Sequence, residues 1–287
     1  MLPRAARQFL RVWNFTTSRG MSAKKDHLNV TAGQFRHEVT TSAVVADMIT
    51  ISPTVCSLIM KVEDKTFGFY AGQWVDFAIP GTDLVGGYSM CSSPGQLRRD
   101  GTLELAVKRS SWPPAVWVHG QCRVGSRVTL KAGGSFFFQP SAGAPVRPLL
   151  LVAGGVGVNP LISILRHCRD LRDEARHTGH GYTPMPVALV YSARSPAELL
   201  FKECIGAMEE EGLVTAHLFV TGKSLPAQDG RYHRGRLTSA DLREVVRRLG
   251  ADPLCYLCGP SAMIADVERW LTELGVPPES VRYERWW

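Results

Sequence analysis

Three short stretches carry residue types whose spacing can do chemistry. In "VAGGVGVNPL" (152–161), Gly154, Gly155, Val156 and Gly157 run into Val158, Asn159 and Pro160. Glycines let a backbone approach a ligand closely and adopt positive φ. Proline in the first helical turn costs no hydrogen bond, because its missing N–H would have no helical partner. A strand handing over to a helix here would turn free N–H groups and a positive dipole end toward a pyrophosphate. The loop is expected at the surface of its domain, where a side chain at Gly157 would leave folding intact. A plain glycine-rich turn would read the same way. "CGPSAM" supplies Cys258, Gly259, Pro260 and Met263 after another apolar run, and "GGYS" supplies Tyr88 and Ser89 after Gly86 and Gly87. Cys255 and Cys258 form a C-x-x-C, which alone would suggest dithiol or zinc chemistry. No second ligand pair accompanies it, so no metal site is expected. The eight histidines show no ligand spacing and are expected at the surface or as caps.

These stretches sit in two regions of different rhythm. From about Val44 to Leu130 apolar residues alternate: Val75, Phe77 and Ile79 share a face, as do Leu103, Leu105 and Val107, and Val128 with Leu130. Period-two strands broken by Gly, Pro and Ser predict an antiparallel sandwich or barrel. After "SAGAPVRP" (141–148), "LLLVA" and "VALVYS" are continuous apolar runs, as strands buried on both faces should be. A stripe at Leu161, Ile164, Leu165, Cys168 and Leu171 predicts a helix between them. A helix near Leu199–Met208, a strand at "VTAHLFV", a helix capped by Thr238 and ended by Gly250, a strand at "PLCYLCG" and a last helix through Met263 and Leu274 complete the pattern. The pattern predicts an antiparallel β sandwich or barrel followed by a doubly wound, parallel-sheet α/β domain. The boundaries drawn are 1–35 for a leading segment, 36–143 for the barrel and 144–287 for the α/β domain. Pro148–Leu165 is eighteen residues without a charge, but its three glycines, Asn159 and Pro160 suit a strand, turn and helix better than a membrane span.

A barrel bearing Tyr88-Ser89, then G-G-x-G-x-x-P, then C-G-P-x-x-M resembles the ferredoxin–NADP reductase family, over roughly residues 40–287 and including the terminal "VRYERWW". The resemblance implies a flavin-binding, antiparallel Greek-key barrel, a nicotinamide-binding α/β domain, and hydride transfer between NAD(P)H and FAD. It would pack Tyr88 on the flavin ring and set Ser89 near the reacting flavin nitrogen. Val107 and Lys108 would lie along the flavin's phosphate and adenine side. Gly154 to Pro160 would hold the nucleotide's pyrophosphate, and Arg194 with Ser195 would lie where the adenosine ribose is read. Cys258, Gly259 and Pro260 would wall the meeting place of the two rings, and Trp286 and Trp287 would shield the flavin. Plainer readings stand beside these: Tyr88 as a barrel-core tyrosine, Arg194 as a partner for a carboxylate, the terminal tryptophans as a seal on the sheet.

Two departures bear on function. The family's R-x-Y-S arginine, a flavin-phosphate contact, is Gly86 here, and Ala115 in "PPAVWVH" stands where a serine hydroxyl is expected. FAD is therefore expected to be held weakly. The reading is an NAD(P)H-dependent FAD-type oxidoreductase with an unidentified electron acceptor, a protein or a small molecule. The alternative is a catalytically quiet NAD(P)-binding sensor or scaffold. No acid follows "VALVYS" and Arg194 could accept a 2′-phosphate, so NADH and NADPH are both admitted. The net charge of +7 is concentrated in residues 1–25, which hold six basic residues and no acid. The remainder is close to neutral, which leaves no basic stripe for nucleic acid. That arginine-rich, acid-free segment without an apolar core fits a mitochondrial presequence, with a basic tail as the plainer reading.

Overall fold

The computed structural model describes residues 27–140, 146–184, 186–222, 230–250 and 252–286. A short helix α1 (His27–Val30) precedes six strands: β1 (Arg36–Ser52), β2 (Val55–Val62), β3 (Trp74–Ala78), β4 (Val85–Ser89), β5 (Thr102–Lys108) and β6 (Arg127–Gly133). They form one antiparallel sheet in the order β4-β3-β6-β1-β2-β5, curled so that its edges come together at a Met90–Leu105 bridge. Helix α2 (Pro94–Asp100) lies against β5, and α3 (Pro113–Gly120) spans the seam between β4 and β5.

The alternating residues do what their period demands. Val75, Phe77, Leu103, Leu105, Val128 and Leu130 share one buried core inside the curl. The opposite face of β3 is buried too, at Trp74 and Asp76, because residues 27–36 lie over it. Residues 27–35, placed by the sequence in the leading segment, thus pack against the barrel. The helices α2 and α3 carry no long apolar stripe, so period alone did not announce them. What starts them is local: Ser93 accepts from Gln96 N ahead of Pro94, and Pro113 and Pro114 open α3.

The second unit contains β7 (Leu149–Gly154), α4 (Val158–Thr178), β8 (Val187–Ala193), α5 (Lys202–Glu210), β9 (Val214–Val220), β10 (Tyr232–Arg234), α6 (Ser239–Leu249), β11 (Leu254–Pro260), α7 (Ser261–Glu273) and β12 (Val281–Trp286). Its sheet is parallel, in the order β10-β9-β8-β7-β11-β12. Leu149, Leu151 and Ala153 enter one core, while Leu150 and Val152 enter another on the opposite face. This is why "LLLVA" shows no alternation. Thr238 and Asp241 form a capping box at α6, and Gly250 ends it. Three details differ from expectation. Helix α5 starts at Lys202, after Leu199 and Leu200 are buried in a turn and Phe201 takes φ 58°. Two strands, β10 and β12, extend the sheet beyond the four apolar runs; one is three residues long and the other is rich in charge, so neither gave an apolar signal. Two histidines are buried rather than superficial, His27 on the barrel and His167 on α4, and burial pushes the His167 imidazole down to about 4.

A polar stripe on α4 joins the two units. Asn159 Nδ2 donates to Ala106 O (2.8 Å), Ser163 Oγ to Ser92 O (2.6 Å), and Arg166 Nη1 to Cys91 O (2.9 Å) and Glu104 Oε2 (2.6 Å). Asp170 accepts from Ser93 and Arg99 one turn further on. These positions recur every three or four residues on one helix face. Among the described residues no helix is long and apolar enough to cross a membrane.

Candidate active site

The C-terminal edge of the parallel sheet, where open α/β sheets bind ligands, faces the end of β4. There β7 delivers Gly154, a 3₁₀ turn takes Gly155–Gly157, and α4 begins at Val158. Gly155 has φ +56° and open space where a Cβ would stand, so its backbone is free to approach a ligand in a conformation that L side chains resist. Gly157 is a glycine for another reason. A Cβ there would fall on the carbonyl oxygen of Cys258, so the turn is pressed against the end of β11. The expectation that Gly157 tolerates a side chain is therefore wrong: the residue is buried against the Cys258–Gly259 backbone. Pro260 and Met263 crowd the same edge, 2.7 Å (Cδ) and 2.9 Å (Sδ) from where a Gly154 Cβ would sit.

Other residues of the loop serve packing. Val158 is buried, Val156 borders the same core, and Pro160 occupies the first helical turn, where its missing N–H costs nothing. Asn159 faces the barrel rather than the loop's open side, and its Oδ1 is buried without a partner. Cys255 and Cys258 lie three apart on β11, hence on opposite faces of the sheet. Cys255 joins one core and Cys258 the other, which removes the dithiol reading. Burial pushes the Cys255 thiol up to about 12.

Ser89 ends β4 with its hydroxyl buried and without a hydrogen-bond partner among the described residues. Beside it is a residue the sequence reading missed. Glu284 stands on β12 in register with Cys258, and among the described residues its Oε2 is likewise buried without a hydrogen-bond partner. Burial raises the Glu284 carboxyl to about 8, with the nearby Ser89 hydroxyl offsetting part of the effect. The carboxyl is thereby shifted toward its protonated form, beside Ser89 and in register with Cys258. The terminal "VRYERWW" was read for its aromatics; the signal for Glu284 was a carboxylate in the strand that neighbours "CGP".

The remaining candidates are more scattered. The Tyr88 ring lies against Gly86 and edge-on to Phe77 (5.4 Å between centroids), with its hydroxyl buried, unpartnered and raised in pKa by that burial. The residue as a whole is partly buried and packs against the barrel core. Val107 points into the barrel core and its carbonyl is hydrogen-bonded to His119 Nε2, while Lys108 is exposed. Arg194 is exposed after β8, its carbonyl accepting from Gly222 N, and Ser195 precedes the turn Pro196–Glu198. Trp287 lies outside the described residues.

The fit to FAD differs between its two ends. At the ring end, Ser89 Oγ and Glu284 Oε2 are buried polar atoms without a hydrogen-bond partner among the described residues, and such atoms call for one. At the phosphate end, a Cβ on Gly86 would lie 2.7 Å from Tyr88 Cε2 and 3.0 Å from Pro114 Cβ. Pro113 and Pro114 contribute no N–H to the start of α3, and Ala115 contributes no hydroxyl. The nearest cations in sequence are Lys108 and Arg109, both exposed at the end of β5.

An oxidoreductase NAD-binding domain model matches residues 151–269. In solved structures the chain is similar to the flavohem-like FAD/NAD-binding domain of nitric oxide dioxygenase from Vibrio cholerae, with TM-score 0.68, 22% identity, and coverage of 86% of this chain and 98% of that one. It is also similar to a cytochrome P450 reductase from Amycolatopsis, with TM-score 0.69, 22% identity, and coverage of 86% and 69%. These establish the fold: a flavin-type barrel followed by an NAD-binding α/β domain. In sequence it is 46% identical over 273 residues to oxidoreductase NAD-binding domain-containing protein 1 of Danio rerio, covering 92% of this chain and 98% of that protein. With both units spanned at that identity, the chain belongs to the family of oxidoreductase NAD-binding domain-containing protein 1.

Proposed function

We propose that the chain is an NAD(P)H-dependent flavin oxidoreductase that passes electrons to a separate acceptor. The observation that carries this reading is the meeting of Ser89, Cys258 and Glu284 at the edge where the nucleotide loop opens. The turn through Gly155 would hold the pyrophosphate of NAD(P)H by backbone N–H groups and the α4 dipole. Cys258, Gly259 and Pro260 would set the depth of the nicotinamide ring, and Arg194 would lie beside the adenosine end. FAD supplies the two-electron chemistry when bound. Ser89 would present its hydroxyl to the flavin edge, and protonated Glu284 would hold a proton for it at neutral pH. Gly86, Pro113 and Pro114 leave the phosphate end with few donors, so FAD would be held weakly. The structural neighbours include a cytochrome P450 reductase, which suggests a redox protein as acceptor; a small molecule serves the same chemistry. The arginine-rich first 25 residues would direct the chain to mitochondria.

The packing of Tyr88 over Gly86 favours the second reading, an NAD(P)-binding sensor without flavin. The absorbance spectrum of the purified chain, before and after FAD is added, separates the two. The oxidoreductase reading expects little flavin on isolation and one equivalent taken up on addition. A chain that binds NADH yet takes up no FAD at any concentration supports the sensor.

A further inference from the structure

Helix α1 has four residues, too few to be stable alone, yet its first residue is among the most buried polar groups of the chain. His27 is 3% exposed. Its Nε2 is hydrogen-bonded to Asp76 Oδ1 (2.9 Å), and its ring stands edge-on to Trp74 at 4.9 Å. Asp76 Oδ2 accepts from Arg36 Nε at 2.7 Å, and the same guanidinium reaches Thr31 O (2.8 Å) and Thr31 Oγ1 (2.7 Å). Thr31 Oγ1 in turn donates to His27 O. Burial would raise the Asp76 carboxyl, but the hydrogen bonds from His27 and Arg36 outweigh it and hold the group below its ordinary range.

Trp74 and Asp76 stand opposite Ser89 and Gly87 across the β3–β4 pair. A Cβ on Gly87 would come within 2.2 Å of the His27 ring atoms Cε1 and Nδ1. Gly87 is not among the positive-φ glycines, so the position requires glycine for room and not for conformation. We infer that His27 is a positioning residue: its ring fills the side-chain place that Gly87 leaves open and fixes the strand that carries Tyr88 and Ser89. The segment before the barrel is thereby part of the flavin-side wall of the site.

The inference goes beyond the proposed activity and is tested apart from it, in the full chain, with His27→Ala, Gly87→Ala and the double variant. Amide hydrogen exchange over residues 85–90 is the main readout, with residues 149–154 of β7 as the internal reference. His27→Ala should speed exchange over 85–90 about tenfold and leave the reference unchanged. Gly87→Ala should do the same, because its methyl evicts a ring that is still present. The double variant should exchange more slowly than Gly87→Ala, since the methyl then occupies emptied space. His27→Gln keeps an amide donor for Asp76 and should recover part of the protection, which decides the matter if Gly87→Ala does not fold. With FAD and NADH, His27→Ala should lower kcat about fivefold while KM for NADH stays within about twofold. Unchanged exchange over 85–90 in His27→Ala, or simple additivity in the double variant, overturns the inference. If no protein oxidises NADH, the proposed function fails while the exchange result still stands.

Discussion

Glu284 and Gly157 show how single residues report on the site. The Glu284 carboxyl is raised to about 8 by burial, so the folded chain binds a proton there that the unfolded chain has released above about pH 4.5. Stability from this group is full below the unfolded pKa and is lost as pH rises through the folded one. Chemical denaturation from pH 5 to 9 should therefore show a decline that Glu284→Gln removes, and the variant should be the more stable protein at the alkaline end. A pH profile identical in both proteins would show that the carboxyl ionises freely. At Gly157 the measurement is stability itself. A methyl there meets the Cys258 carbonyl, and overpacking of this kind costs about 1–3 kcal/mol. Gly157→Ala should unfold at lower denaturant than Gly155→Ala, whose methyl meets nothing and strains only the backbone. Gly157 was legible in sequence as a glycine the loop needs, but its reason was not, because the Cys258 backbone that presses on it lies about a hundred residues away.

Among the elements, α4 has two jobs that the sequence revealed unequally. Its apolar stripe at Leu161, Ile164, Leu165 and Cys168 was plain from the 3.6-residue period, and all four are buried. Its polar stripe at Asn159, Ser163, Arg166 and Asp170 gave no such signal, because the barrel surface that pairs with it comes from distant strands and turns. The Arg166–Glu104 pair is the centre of that contact, with side chains only 17% and 12% exposed. Removing one partner strands a buried charge, which costs about 3 kcal/mol. Arg166→Met should lower the unfolding free energy, read from the denaturation midpoint, by that order. The double variant Arg166→Met/Glu104→Gln should regain much of it, because neither charge is then left alone. Equal stability of wild type and Arg166→Met would mean that the pair is solvated. The short helices and the edge strands β10 and β12 escaped the sequence reading for the same reason: caps, seams and sheet edges are defined by partners, and periodicity sees only one element at a time.

At the scale of the molecule, two units with unlike rhythms meet along α4 and along the line from Ser89 to Glu284. The barrel, the doubly wound sheet and the glycine turn that opens α4 were all legible, because alternation, continuous apolar runs and glycine spacing are local properties. The seating of Tyr88 over Gly86 and of His27 over Gly87 was not, because in each case a ring fills a glycine's empty place across the fold. The buried position of His27 also bounds any processing of the basic leader. N-terminal sequencing of the chain from isolated mitochondria should find a start between Arg11 and His27; an intact Met1, or a start beyond His27, would contradict that expectation. The central claim is that nicotinamide and flavin meet at Ser89, Cys258 and Glu284. It is tested most directly by anaerobic rapid mixing of the FAD-supplemented chain with NADH and with NADPH, following the flavin absorbance. The account predicts that at least one nucleotide bleaches the flavin in a single turnover, and that Ser89→Ala slows the bleaching about tenfold or more without loss of either ligand. A chain that binds both nucleotide and FAD yet shows no bleaching would contradict it.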